Sequence, residues 1–260
     1  MIDQSPVEID IQKRDLIEGL MKGFDVITAF NSDSPQLTAS EVAERVGLTR
    51  SAARRYLLTL VHTGMAASDG KKFWLMPRLL NLGQSYLESA RVPRAVVPFL
   101  QRLTQQLQES TNFSLLDGDE IVYVTRVTAA QLVNAGFEPG TRLPAYTTTA
   151  GRVLLGTRED AEIQAYLERV TLIPHTHMAV TDKAALFQEI LTMRKQGYGI
   201  TENQFEMGMR GIAIPVKNRN GRVIGALSVT SNIAACPREE AISRGVPALQ
   251  TTANTLMMWV

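Results

Sequence analysis

The spacing of apolar residues predicts helices up to about residue 108 and, beyond it, a mixture of short strands and helices. Leu16, Leu20, Phe24, Ile27 and Phe30 share one helical face within residues 14–31, which predicts a support helix stopped by Asn31-Ser32-Asp33-Ser34-Pro35. Thr38-Ala39-Ser40-Glu41 is a capping box, in which the threonine hydroxyl and the glutamate carboxylate take up each other's unpaired amides. Val42, Ala43 and Val46 follow on one face. Gly47-Leu48 turns the chain out of that helix, because glycine adopts the left-handed conformation at little cost. Thr49 caps the next helix, where Ala53, Leu57, Leu60 and Val61 form an inward stripe. Residues 62–67 and 71–75 then flank Ser68-Asp69-Gly70, a hairpin signal. Short helices joined by a tight turn and followed by a hairpin predict a winged helix-turn-helix.

Residues 77–91 open on Pro77, a residue suited to the first helical position, and carry Leu79, Leu80, Gly83, Tyr86 and Leu87 along one side. An apolar stripe on a connector implies burial, and the same helix of a second subunit is the most economical cover. Beyond a boundary at Val92-Pro93, helix 94–108 places Val96, Leu100, Leu103 and Leu107 inward. Strands are predicted at 112–116 and 120–127 about an Asp117-Gly118-Asp119 turn, with a third near 131–137. A turn-rich loop, 138–148, feeds a helix at 149–155, and helices follow at 159–168 and 183–196. Strands at 198–203, 211–217 and 222–230, the last two joined by an Asn-Gly turn, precede a closing helix at 238–258. The sum is an α+β chain with an N-terminal winged helix-turn-helix, a linker helix and a C-terminal antiparallel sheet backed by helices. The expected limits are a mobile arm at 1–13, a DNA-binding domain at 14–76, the linker at 77–91 and an effector-binding and oligomerisation domain at 92–260.

Charge matters only locally. The chain holds 27 Lys/Arg against 26 Asp/Glu, yet from Arg45 to Arg78 seven basic residues face one acid, Asp69. Arg50, Ser51, Arg54 and Arg55 lie on the outward arc of helix 49–61 with no carboxylate among them. Such a stripe is the footprint of phosphate contact, although solvated arginines on an amphipathic helix produce the same pattern. The hairpin lysines favour the first reading. Thr49, Arg50, Ser51, Arg54 and Arg55 are therefore expected in or beside the major groove of a double-stranded DNA operator, and Thr38, Ser40, Lys71 and Lys72 on phosphate.

A single cysteine, Cys236, excludes an internal disulfide, and neither a signal peptide nor an apolar run of ~20 residues is present, so a cytoplasmic protein without membrane contact is expected. His62, His175 and His177 do not match metal-ligand spacings, and nucleophile-elbow, phosphate-loop and dinucleotide motifs are absent. No catalytic residue, metal or cofactor is assigned. Thr147-Thr148-Thr149 at a loop-to-helix junction could present hydroxyls and amides to an anion, or could be an ordinary cap with surface threonines.

In this order of parts, residues 15–260 resemble the IclR family of bacterial transcriptional regulators. Thr49-Arg50-Ser51-Ala52-Ala53-Arg54-Arg55-Tyr56-Leu57, Pro139-Gly140-Thr141-Arg142-Leu143-Pro144-Ala145-Tyr146 and Ala150-Gly151-Arg152-Val153-Leu154-Leu155 are similar to its subgroup sensing aromatic acids of the β-ketoadipate pathway, such as protocatechuate, 4-hydroxybenzoate or β-ketoadipate. The C-terminal signature, running from Gly197 to Ala213, departs from the family pattern at Thr201, Gln204 and Gly211, and just beyond it at Lys217.

The resemblance implies a GAF-like effector domain whose pocket uses Ala145, Tyr146, Thr147, Thr148, Thr149, Ala150, Gly151, Thr201, Gly211, Ser228 and Thr230. Gly211 would make room for a ring. Leu143, Ile212 and Leu227 are expected as apolar walls, and the anionic end is expected to be held either by threonine hydroxyls or by one of Arg142, Arg152 and Arg210 as a carboxylate clamp. It also implies a homodimer or homotetramer in which a small, aromatic carboxylate effector shifts the linker arrangement and so the spacing of paired recognition helices. The alternatives are a regulator of an aliphatic carboxylate, a constitutive DNA-binding oligomer, or an enzyme that uses its winged helix only to dimerise.

Overall fold

The computed structural model describes residues 10–89, 91–129 and 137–259. The chain divides into two compact units, Met1–Gln84 and Ser85–Val260.

The first unit holds helices α1 (Glu18–Thr28), α2 (Ala39–Val46) and α3 (Arg50–His62), with strands β1 (Leu37–Thr38), β2 (Ala66–Ser68) and β3 (Lys72–Leu75). The strands form an antiparallel sheet in the order β1-β3-β2. The local signals act as the sequence suggests. Glu41 N–H donates to Thr38 Oγ1 at 3.3 Å while Thr38 N–H donates to Glu41 Oε2 at 2.7 Å, Gly47 ends α2 at φ 66°, and Ala52 N–H donates to the Thr49 hydroxyl at 3.2 Å. Val26, Leu37, Val42, Ala53, Leu57 and Phe73 make the core. Each large apolar side chain fully buried there contributes roughly 1.5–3 kcal/mol.

Helix α1 corrects the expectation for 14–31. A single 3-10 turn at Lys13–Asp15 precedes it, Val26 is its buried residue, and Leu16, Leu20 and Phe24 are 45%, 57% and 52% exposed. Of the expected face only Ile27 and Phe30 pack against the core, beside Val26 from another side of the helix, so periodicity finds the helix and only part of the side that meets the core. Of the arm expected at 1–13, residues 1–9 lie outside the described residues.

After a 3-10 turn at Pro77–Leu79 come α4 (Leu80–Ser89) and α5 (Arg91–Leu107), then β4 (Ser110–Asp117), β5 (Glu120–Val127) and β6 (Arg142–Pro144). Helices α6 (Thr149–Leu155), α7 (Asp160–Arg169) and α8 (Lys183–Gln196) precede β7 (Gly199–Glu202), β8 (Met209–Lys217) and β9 (Val223–Asn232), and α9 (Arg238–Met257) closes the chain. The expected strand at 131–137 lies outside the described residues except for Phe137, which is in no strand. The six strands form an antiparallel sheet ordered β6-β5-β4-β9-β8-β7. Helices cover both faces. Val96, Leu100 and Leu103 of α5 and Leu249 and Leu256 of α9 pack on Phe113, Ile212, Leu227 and Val229, while α6, α7 and α8 pack on Ile121, Tyr123, Ala213 and Ala226. Among the described residues no helix is long and apolar enough to cross a membrane.

One irregularity shapes the α6 side. Phe113 pairs with Thr125 but Ser114 pairs with Tyr123, so β5 carries one extra residue. A bulge of this kind re-aims side chains. Tyr123 and Arg126, three apart, both line the cavity described below, whereas Val124 joins the core under α5 and α9.

Candidate functional site

On the first unit, Arg50, Ser51, Arg54 and Arg55 are exposed along α3, and Ser40, Thr49, Lys71 and Lys72 are exposed beside it. The guanidinium groups of the three arginines carry no hydrogen bond or ion pair among the described residues. Asp69, the acid within the basic stripe, is engaged by its own turn. Its Oδ1 accepts from the backbone N–H groups of Lys72 at 2.7 Å and Lys71 at 2.8 Å, and these bonds hold its carboxyl below the usual range. Two of the basic and polar groups are structural. Arg45 folds back to donate to the Ala29 carbonyl at 2.8 Å and to Ser34 Oγ at 2.7 Å. Thr38, half-buried, gives its hydroxyl proton to Glu41 Oε2 at 2.7 Å, which leaves the cap rather than a phosphate as its engaged partner.

The second unit contains a cavity of about 120 Å³ between α6, β5, β8 and β9. Of the residues expected around an effector, it brings together Thr147, Thr148, Thr149, Ala150, Thr201, Arg210, Gly211, Ser228 and Thr230. It leaves the others outside, each for a definite reason. Arg142 lies on the edge strand β6, where its guanidinium is held at 2.8 Å by both Asp117 and Glu120. Leu143, Ala145 and Tyr146 pack in the core beneath α6, and Tyr146 N–H donates to Tyr166 Oη at 3.0 Å. Gly151 allows close packing, since a Cβ there would overlap the Ala145 carbonyl. Ile212 and Leu227 alternate to the α5/α9 face of the sheet and do not line this cavity.

Arg152 is also excluded as a clamp. It is 2% exposed, and its guanidinium is taken by the Tyr146 carbonyl at 2.8 Å, Glu189 at 2.7 Å and Gln204 Oε1 at 2.8 Å. Burial pushes its pKa down, with Glu189 opposing. Gly211 does not free space for a ring. A Cβ at this position would overlap the Thr149 hydroxyl, which occupies that space and shares a 2.5 Å hydrogen bond with Thr201 Oγ1.

Arg210 reaches the cavity but is already paired, donating to Glu202 at 2.6 Å and to the Cys236 carbonyl at 2.9 Å. Burial raises the pKa of Glu202, but the bonds from Arg210 and Arg238 outweigh it and hold the carboxyl below its ordinary value.

The lining includes groups that the sequence reading did not single out. Tyr123, Phe137 and Phe205 form an aromatic wall, with ring centroids 4.9 Å apart for Tyr123–Phe137 and 5.0 Å for Phe137–Phe205. His175 continues the stack against Phe205 at 4.5 Å. Glu206, Met209 and Val229 also contribute, as does Arg126. Arg126 is half-exposed, its Nε donates to Thr128 Oγ1 at 3.2 Å, and among the described residues it forms no ion pair. The aromatic residues were visible as residues, but their convergence depends on loops far apart in sequence, and Arg126 faces the cavity only because of the bulge.

Known proteins share this order of domains. The IclR helix-turn-helix domain matches residues 19–70, and the C-terminal domain of the bacterial transcriptional regulator IclR matches residues 84–258. The chain is 35% identical to the Pca regulon regulatory protein of Pseudomonas putida, over 93% of this chain and 84% of that one. It is 36% identical to the p-hydroxybenzoate hydroxylase transcriptional activator of Acinetobacter baylyi, over 95% and 93%. A solved IclR homologue from Microbacterium hydrocarbonoxydans, complexed with 4-hydroxybenzoate, shares the fold at a TM-score of 0.75 and 24% identity, over 92% of this chain and 98% of that one. With both family domains matched in sequence order, and relatives that are regulators, the chain belongs to the IclR family of bacterial transcriptional regulators and is a ligand-responsive, DNA-binding regulator rather than an enzyme.

Proposed function

We propose that this regulator controls aromatic-acid catabolism genes in response to a small aromatic carboxylate. The observation that carries the reading is Arg126 lining, together with an aromatic wall, a cavity of about 120 Å³, comparable with the ~150 Å³ apolar cavity that accepts benzene. A ring stacks on Phe137 and Phe205 while its carboxylate pairs with Arg126 through charge-assisted hydrogen bonds. The names of the Pseudomonas and Acinetobacter relatives, and the 4-hydroxybenzoate held by the Microbacterium homologue, support the same class. An aliphatic carboxylate would make no use of the wall.

The operator is read by Arg50, Ser51, Arg54 and Arg55, with Thr49 capping their helix and Ser40, Lys71 and Lys72 on phosphate. The module at 14–76 acts in duplicate in a homodimer or homotetramer. The linker stripe supports this, with its residues Leu80 and Tyr86 exposed by 75% and 45% in the single chain. Effector binding at 92–260 favours one arrangement of the linker helices, and hence one spacing of the recognition helices.

Calorimetric titration with benzoate, 4-hydroxybenzoate and protocatechuate against pyruvate and adipate tests the effector class. At least one aromatic acid should bind, and Arg126→Ala should weaken it about tenfold or more. Binding of aliphatic acids alone overturns the reading. A DNA-shift assay with the bound acid tests the coupling, which fails if operator affinity and DNA geometry stay unchanged.

A further inference from the structure

Helices α7 and α8 are joined by a long connection, residues 170–182, that contains no helix or strand. Ordered connections of this length commonly serve as lids or binding loops. Leu172 and Val180 anchor it in the core beneath α6, but Pro174, His175, His177 and Met178 between them are exposed, so burial does not hold the middle in place. Hydrogen bonds to the turn between β7 and β8 do. Thr176 donates its hydroxyl to the Asn203 carbonyl and accepts from Met178 N–H at 3.2 Å. Gln204 makes the larger tie. Its Oε1 accepts from Val180 N–H at 3.0 Å and from the buried Arg152 at 2.8 Å, and its Nε2 donates to the Met178 carbonyl at 2.9 Å and the Glu202 carbonyl at 3.3 Å. Both acceptor and both donor positions of the side-chain amide are thereby filled.

The same turn carries Phe205, which lines the cavity and meets Phe137 at 5.0 Å, and His175 of the connection meets Phe205 at 4.5 Å. We propose that Gln204 is a positioning residue of the effector site, whose amide fastens residues 174–178 as a strap against the turn and so fixes Phe205 in the aromatic wall. The inference rests on the aromatic-acid reading above. A loose strap withdraws His175 and leaves Phe205 free to turn, and a ring that stacks on Phe205 then binds less well, because that side chain has to be ordered on binding. The tie requires an amide. Glutamate in this position has the same shape, keeps both accepted bonds and strengthens the one from Arg152 through its charge, yet it puts an oxygen where Nε2 now donates, against two carbonyls. Packing and the Arg152 contact therefore survive Gln204→Glu, and the strap does not.

Hydrogen exchange and calorimetry on the full-length protein test this. Without ligand, Gln204→Glu should speed amide exchange across residues 174–180 about tenfold or more, while α6 and α8 keep their protection. With whichever of benzoate, 4-hydroxybenzoate and protocatechuate binds the unaltered protein most tightly, the variant should lose affinity about fivefold or more. Thr176→Val cuts the strap from its own side, leaves Gln204 and Arg152 untouched, and should move both readings in the same direction. It also serves should Gln204→Glu prevent folding. Unchanged exchange across 174–180 overturns the assignment, and so does faster exchange with unchanged ligand affinity. Exchange that rises equally in α6 and α8 marks a general loss of stability and overturns it too. Each of these outcomes, with a benzoate bound by the unaltered protein, overturns this inference alone. Failure of every benzoate to bind the unaltered protein overturns the proposed function, and with it the strap as part of an effector site.

Discussion

The two units keep their polar chemistry in opposite states. Along α3 and the wing, the guanidinium and ammonium groups are exposed and, among the described residues, form no side-chain hydrogen bond or salt bridge, whereas around the cavity Thr149 is bonded to Thr201, Arg210 to Glu202, and Arg152 to Glu189 and Gln204. An exposed cationic surface suits a polyanion, whose attraction is additive, long-ranged and weakened by salt. A buried and mostly satisfied site responds to single atoms, because one unmatched donor or acceptor inside it is costly.

The largest effects should separate the two units energetically. Gly151→Ala drives a Cβ into the Ala145 carbonyl at the start of α6 and should destabilise the second unit by about 3 kcal/mol or more. Leu57→Ala, at a fully buried position of α3, should cost the first unit ~2–5 kcal/mol. Thermal unfolding of the two variants should then show losses in different transitions, with effector binding spared by the second change. Losses in one common transition would mean that the two units are energetically a single body.

Smaller effects should distinguish the groups on the exposed face. Loss of a base-reading arginine, Arg54 or Arg55, should cost ~1–3 kcal/mol on the cognate operator and relax specificity at one position. Lys71→Ala should weaken all sequences alike and reduce the salt slope by about one. Fluorescence anisotropy on cognate and scrambled duplexes at several salt concentrations measures both. Equal losses on every duplex for both arginines would remove them as base readers.

The smallest effect concerns acid. The folded pKa of Glu202 lies below its ordinary value of 4.5, so its stabilisation is complete above that value and is lost as pH falls through the lower, folded one. The second unit should therefore lose stability on acidification below about pH 4.5, and Glu202→Gln should flatten that part of the curve. An unchanged slope in the variant would show that Glu202 does not contribute to acid unfolding.

What could be read in advance follows the same division. Caps, tight turns and inward stripes are local, and Thr38, Gly47, Thr49 and the Asp69-Gly70 hairpin act where the residues alone place them. Helix α8 and strand β5 likewise occupy the predicted spans. The misses required long-range pairing. Strands β1 and β6, of two and three residues, carry no periodicity of their own and exist through the neighbours they join. The apolar residues of α1 marked only part of the side that meets the core. Ile212 and Leu227 were placed on the wrong side because strand alternation fixes two faces without naming them, and an extra residue in β5 brought in Arg126, which no count of arginines could distinguish from Arg142.

The contact between Gly211 and Thr149 has a consequence for how such a sensor diversifies. Because the threonine hydroxyl fills the space that any larger residue at 211 would need, a bulkier side chain there is tolerated only after position 149 has shrunk or turned away. Thr201 would then lose its bonded partner. The three positions form an epistatic set, so new effector preferences at this end of the cavity should arise through ordered, coupled substitutions, and single replacements should more often yield regulators that respond to nothing.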